Sequence, residues 1–393
     1  MVQLFGRELS RADVDSLAGT PTQFAGVRLM TLGDGLERGS RMLEFRTGTG
    51  LIFTVMVDRA LDIGGCEFKG QAIGWHSPAG FRSPALSDPE ADGGLGWLRS
   101  FSGLLATCGM DHALAPVIED AAHFNYPFRK TIAQPIHGRV GTTPARLMGY
   151  GESWEGDDCT LWCEGLVQQA TVFGENLHLT RRIACKMGTN EIAITDRVVN
   201  RGFSRTPHMM LYHVNVGHPL LSEGSRYLAP IGEVLWAGHG GPAYQMQGVG
   251  YQTMGGPKRN FVEQVWEHDM TADRSGLVRV ALVNDALDLG FQVTSRKDEL
   301  PCQLEWQNLR AGMYCLGLEP STHHVPGKPF ALDRGEMIWL EYGEERSYHL
   351  TMTVLDGAAE IAAAAKTIAS VKRQPDEDYP APSGQFPKLA GRN

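Results

Sequence analysis

Three short stretches place acid–base side chains inside or at the end of apolar runs: Pro135-Ile136-His137-Gly138-Arg139, Tyr212-His213-Val214-Asn215, and Met313–Glu319, which closes on Leu318-Glu319-Pro320. Imidazoles and carboxylates are the groups most readily tuned to exchange protons near neutral pH, each transfer contributing typically ~10²–10⁴-fold to a rate. Left buried without a partner, such a group costs on the order of 1–3 kcal/mol, so each needs a hydrogen-bond partner or a wet cleft. Other polar residues leave apolar segments in the same way: Arg59 and Asp62 after a very apolar strand, Asp111 and His112 at the end of Trp97–Met110, and Trp306 and Gln307 at the end of another strand. The plain readings stand beside the catalytic one. Arg59 with Asp62 also fits a structural salt bridge at a loop, and a Glu before Pro also fits an ordinary strand end.

The elements that must position these groups are strands. The stretch Arg181–Leu220 reads as three in succession, RRIACKM, EIAITDRVVN and PHMMLYHVNV, parted by the turn-formers Gly188-Thr189-Asn190 and Asn200-Arg201-Gly202. Ile192, Ile194 and Val198 alternate with polar residues as a half-buried strand requires. The third strand carries His208 and His213, and His218 just beyond it, among Met and Val. Before this stretch, strands are expected at Gln23–Leu32, Arg41–Arg46, Leu51–Val57, Thr160–Leu166, Gln168–Phe173 and Leu177–Lys186. After it they are expected at Val278–Val283, Gly290–Thr294, Gln303–Gln307 and Met313–Glu319, with a closing hairpin of Trp339–Gly343 and Ser347–Leu355. Residues 81–95 read as the rim of a cleft, and 222–260 as a long connection. One short helix is expected at Ser10–Ala18, and Gly357–Lys372 is Ala-rich and helical in propensity. Gln374–Asn393 reads as a loosely ordered tail.

Composition narrows the class. With 42% hydrophobic and 21% charged residues, disorder is excluded as the default. A net charge of −9 argues against binding nucleic acid or an anionic membrane, which would need a basic surface. No run approaches the ~20 apolar residues of a membrane span and the N-terminus lacks a signal pattern, so a cytoplasmic protein is expected. The seven cysteines are scattered and odd in number, unlike a disulfide framework. Cys159 and Cys163 form a close pair without a second pair at zinc-ligand spacing. Glycine, at 47 residues of 393 against a usual share of about 7%, suits many strands joined by tight turns. No phosphate-cradling glycine motif and no cofactor motif occurs.

The order of these motifs resembles the aldose 1-epimerase (galactose mutarotase-like) superfamily, as a divergent branch. Thr206-Pro207 followed by the His213 strand, Ile136-His137-Gly138 upstream and the apolar run into Glu319 carry the resemblance, over roughly residues 20–355. It implies an all-β fold, a large β-supersandwich with a short C-terminal helix: an extension at 1–20, the sandwich at 21–356, then the helix and tail at 357–393. It also implies a sugar isomerase without a cofactor, Glu319 as base, His213 as acid and His137 assisting. Arg59, Asp62, Asp111, His112, Arg139, Asn215, Trp306 and Gln307 are then the candidate substrate-binding residues on the concave face, with Trp75 a further stacking platform. Arg139 stands where the family usually has Gly, so it either grips an anionic substituent or braces the site against a carboxylate such as Asp62 or Asp111. The expected partner is a small carbohydrate, and homo-oligomer formation stays open. Two other readings keep the same residues: epimerisation at another carbon with a metal held by His137, His213 and Glu319, or a non-catalytic sugar-binding protein.

Overall fold

The computed structural model describes residues 1–238, 250–376 and 381–389, so parts of the expected connection at 222–260 and of the tail at 374–393 lie outside the described residues. Antiparallel strands dominate. Arg146–Glu155, Asp158–Ala170, Asn176–Lys186 and Glu191–Asn200 follow one another as a meander. The sheet then continues through Glu345–Asp356, Leu289–Arg296, Leu277–Asn284 and Arg226–Leu228 to eight strands. Asp158–Ala170 alternates buried and solvent-facing residues along its length, which is the period a sheet with one packed face imposes. Thr160–Leu166 and Gln168–Phe173, expected as separate strands, are this one strand.

A second sheet, of seven strands among the described residues, faces it. Its long member is Thr206–Gly217, buried at every position. This strand follows the meander in sequence but does not extend it. It crosses to the second sheet, where it pairs with Cys315–Ser321, Leu105–Met110 and Ile338–Leu340. A strand apolar on both faces cannot end an open sheet; it needs cover on each side. The closing hairpin is likewise corrected: Ile338–Leu340 joins the second sheet and Glu345–Asp356 the first. A third sheet of five strands, Gly26–Thr31 to Gln71–Ala72, packs into the same core.

Period two then sorts the side chains of Thr206–Gly217. Met210, Tyr212, Val214 and Val216 join the core between the sheets, whereas Met209 and Leu211 join a second apolar cluster with Trp75, Trp97, Phe101, Leu304 and Trp306. The helix expected at Ser10–Ala18 is Arg11–Leu17, closed by a Ser10/Asp13 capping box, and the later one is Ala358–Val371. The segment at 381–389, expected to be loose, is docked: the Ser383 and Gly384 amides donate to Val234 and Leu235 carbonyls, and Leu389 is buried.

Candidate active site

His213 lies on the same face as Met209 and Leu211. The register that pairs Val214 with Leu318 sets His213 opposite Glu319, and their Nε2 and Oε1 atoms are 3.1 Å apart. Both line a cavity of about 590 Å³ whose walls include Trp75, Trp97, Phe101, Trp236 and Trp306. Aromatic rings enclose the histidine, with Phe101 at 4.8 Å and Trp306 at 5.2 Å between centroids. Glu319 finds room because residue 317 is glycine: a Cβ there would stand 2.4 Å from Glu319 Oε1.

Burial disfavours the charged form of each group. It lowers His213 to about 3, partly opposed by Asn215, and raises Glu319 to about 8, helped by the negative charge of Glu263. Protonated Glu319 beside neutral His213 is therefore the resting state at neutral pH, and the pair holds one transferable proton.

His137 enters the cavity from a loop. It has a left-handed backbone (φ 58°) and is followed by Gly138 (φ 74°), where a Cβ would come within 2.1 Å of the Gly109 carbonyl oxygen. That close approach is the physical reason for the His-Gly pair. The Leu114 amide donates to His137 Nδ1 at 3.4 Å, so the neutral ring keeps its hydrogen on Nε2. Burial, then His213 and His112, hold its pKa well below the usual value.

Of the other candidates, Trp306 lines the cavity and donates its Nε1 hydrogen to Glu263 Oε2 at 2.8 Å; Trp75 also lines it. Arg59, Asp62, Asp111, His112, Arg139, Asn215 and Gln307 are not in its wall. Arg59 donates to the Ser100 carbonyl. Asp62 accepts from Thr107 and from the wholly buried Arg181 at 3.0 Å. Asp111 is held by Gln134 and Gln169. His112 contacts the Ala115 carbonyl oxygen through Nε2. Arg139 pairs with Glu90 at 2.8 Å and lies 3.6 Å from Asp111, the bracing arrangement rather than a grip on substrate. Asn215 donates to the Gly103 and His213 carbonyls, and Gln307 to the Gly250 carbonyl and Glu305. The reason is common to all: a charge or amide at the end of an apolar run is as well served by a buried partner as by a cleft.

The wall contains no Arg or Lys among the described residues. His137, His213 and Glu319 do not converge as a three-ligand metal group; among the described residues the group with donor atoms that close is Glu267, Cys302 and His324. The Cys159/Cys163 pair packs in the core as buried thiols. Glu263, Trp97, Phe101 and Trp236 were missed as site residues. Glu263 carries no strand pattern, Trp97 and Phe101 lie in a run read as apolar, and Trp236 lies in the stretch read as a long connection.

The model of a domain of unknown function, DUF4432, matches residues 37–354. The chain belongs to the DUF4432 family. No curated protein matches the sequence. Among solved structures, the protein is similar to one from Klebsiella pneumoniae subsp. pneumoniae provisionally assigned as an aldose 1-epimerase, with 25% identity over 92% of this chain and 91% of that one and a TM-score of 0.80. A galactose mutarotase-like protein from Clostridium acetobutylicum shares 11% identity over 85% and 99% of the two chains, with a TM-score of 0.55. A galactose 1-epimerase from Lactobacillus acidophilus shares 10% over 84% and 99%, with a TM-score of 0.50. The last two likenesses are of fold alone. This DUF4432 protein thus has the galactose mutarotase-like sandwich, and the family match spans every candidate residue from Arg59 to Glu319.

Proposed function

We propose that the protein is a sugar isomerase of aldose 1-epimerase type, acting on a neutral sugar through Glu319 and His213. One observation carries the reading: a carboxyl and an imidazole with opposed pKa shifts stand 3.1 Å apart in an aromatic-walled cavity. Opposed shifts in one site assign an acid and a base. In ring opening, His213 takes the proton of the anomeric hydroxyl, and that O–H pair becomes the C1 carbonyl as the C1–O5 bond breaks, its electrons going to O5, which takes the proton of Glu319. After rotation about C1–C2 the two groups exchange roles and the ring closes on the other face. These resting roles are the reverse of those the resemblance implies, but the two assignments differ only by one proton moved within the pair. His137 offers its Nε2 hydrogen to a substrate oxygen, and Trp75 and Trp306 present apolar faces to the C–H surface of a pyranose. With no cation in the described wall, an acidic sugar has no counter-charge there.

Polarimetry or NMR exchange over a panel of neutral and acidic aldoses tests this. Glu319→Gln should cut turnover at least about a hundredfold with little change in binding. A variant with near-normal rates would sink the assignment, and binding without turnover by the unaltered protein would make it a sugar-binding protein instead.

A further inference from the structure

We propose that Glu267, Cys302 and His324 form a binding site for a zinc-type divalent cation, beside the cavity and separate from the Glu319–His213 pair. The three residues are buried, and one donor atom from each lies within 4.8 Å of the others. Strand pairing puts Glu267 opposite Leu304 and Leu304 opposite Glu319, so Glu267 stands two strands away from Glu319, roughly 10 Å at the usual strand spacing, and Cys302 lies on the strand between them, opposite Ser321.

The hydrogen bonding around His324 calls for a positive charge at Nδ1. Its Nε2 is 2.9 Å from the Pro387 carbonyl oxygen, which can only accept, so the ring hydrogen belongs there. Nδ1 faces Glu267 Oε1 at 2.5 Å and Cys302 Sγ at 3.5 Å. A lone pair against a carboxylate oxygen is repulsive unless a positive charge lies between them. A proton on Nδ1 makes a Glu267–His324 ion pair and involves two of the three donors. A metal ion takes all three donors.

The spacing and the surroundings agree with this. Bonds of ~2.3 Å to sulfur and ~2.0 Å to nitrogen at a tetrahedral centre set those atoms roughly 3.5 Å apart, as found. Glu267 Oε1 would have to draw back to roughly 3.3 Å from Nδ1 on the same geometry. Metal-binding histidines usually donate their other ring hydrogen to a carbonyl or carboxylate, and ligating carboxylates are themselves hydrogen-bonded. Pro387 does the first, and the Val325 amide, donating to Glu267 Oε2 at 2.9 Å, does the second. Thiolate, imidazole and carboxylate together favour Zn²⁺ over Mg²⁺ or Ca²⁺, and three protein ligands leave a fourth position open.

The test uses the full-length protein, with metal content measured after purification without metal-affinity steps, and Co²⁺ titrated into chelator-treated protein. About one equivalent of zinc, or a cobalt–thiolate charge-transfer band saturating near one equivalent, is expected. Cys302→Ser should abolish the band, Glu267→Gln should weaken Co²⁺ binding at least about tenfold, and Cys185→Ser should leave it unchanged. Should Cys302→Ser not fold, X-ray absorption of the unaltered cobalt protein decides, through one sulfur neighbour at ~2.3 Å among N/O neighbours. No band up to millimolar Co²⁺, or a band that survives Cys302→Ser, would overturn the proposal and leave a Glu267–His324 ion pair. These readouts do not depend on any sugar being turned over.

Discussion

At the scale of single residues, Glu319 is a carboxyl that the fold keeps protonated. Its pKa rises from 4.5 to about 8 in the folded protein, while an unfolded chain would ionise it near the ordinary value. Between these two values the folded state holds the proton and the unfolded state does not, so this group's contribution to stability is full below 4.5 and is lost as pH rises towards 8. Gln keeps the neutral shape without the titration. Glu319→Gln should therefore melt above the unaltered protein, by a margin that grows from pH 5 to pH 8 and then levels; a margin independent of pH would show that the carboxyl is not held protonated. The same shift governs the rate. The pair has a proton to give only below about 8, so kcat/KM should be flat through neutrality and fall tenfold per unit above that value. A rate that rises through pH 8 would mean that ionised Glu319 is the working form.

At the scale of elements, strand periodicity builds the site. On Thr206–Gly217 alternate residues go to opposite faces, which sends Tyr212 to the core and His213 to the cavity; a slip of one residue would exchange them. On the neighbouring strand Gly317 and Glu319 share a face, and the missing side chain of the first is the space taken by the second. Gly317→Ala should leave the strand pairing intact, with the Glu319 carboxyl displaced and Trp306 and His213, which the new Cβ would meet at 3.1 and 3.2 Å, giving way by a few tenths of an ångström. It should still lower kcat/KM by about a hundredfold, the scale expected for displacing a reacting group by about 1 Å. Circular dichroism and steady-state kinetics together check this, and an unchanged rate would mean that the carboxylate position is not critical.

At the scale of the whole molecule, one buried ion network ties the three larger sheets together. Arg181 makes two bonds to Asp196, at 2.9 and 2.6 Å, within the eight-stranded sheet. It also donates to Asp62 of the five-stranded sheet at 3.0 Å and to Thr107 of the seven-stranded one at 2.8 Å. Tyr212, on the back of the His213 strand, donates to Asp196 at 2.7 Å. Removing one partner of a buried pair leaves the other uncompensated, at a cost of about 3–5 kcal/mol. Asp196→Asn should destabilise the protein by that order in urea unfolding, and a loss below about 1 kcal/mol would show that the network does not hold the sheets together.

The sequence by itself determined the class of fold and the three groups that meet in the cavity. Period-two burial and glycine-rich turns are local properties, and His137, His213 and Glu319 sit in short motifs whose order along the chain resembles that of the mutarotase-like superfamily. Which sheet each strand joins was decided only in three dimensions, since pairing depends on what covers a strand's second face. Ile338–Leu340 therefore left the closing hairpin that its order along the chain suggested. The same holds for Asp62, Asp111 and Arg139: an ionised side chain beside an apolar run looks alike in sequence whether it faces a substrate or a buried partner. Only the assembled structure, by supplying Arg181 to the first and setting the other two 3.6 Å apart, made them part of the framework.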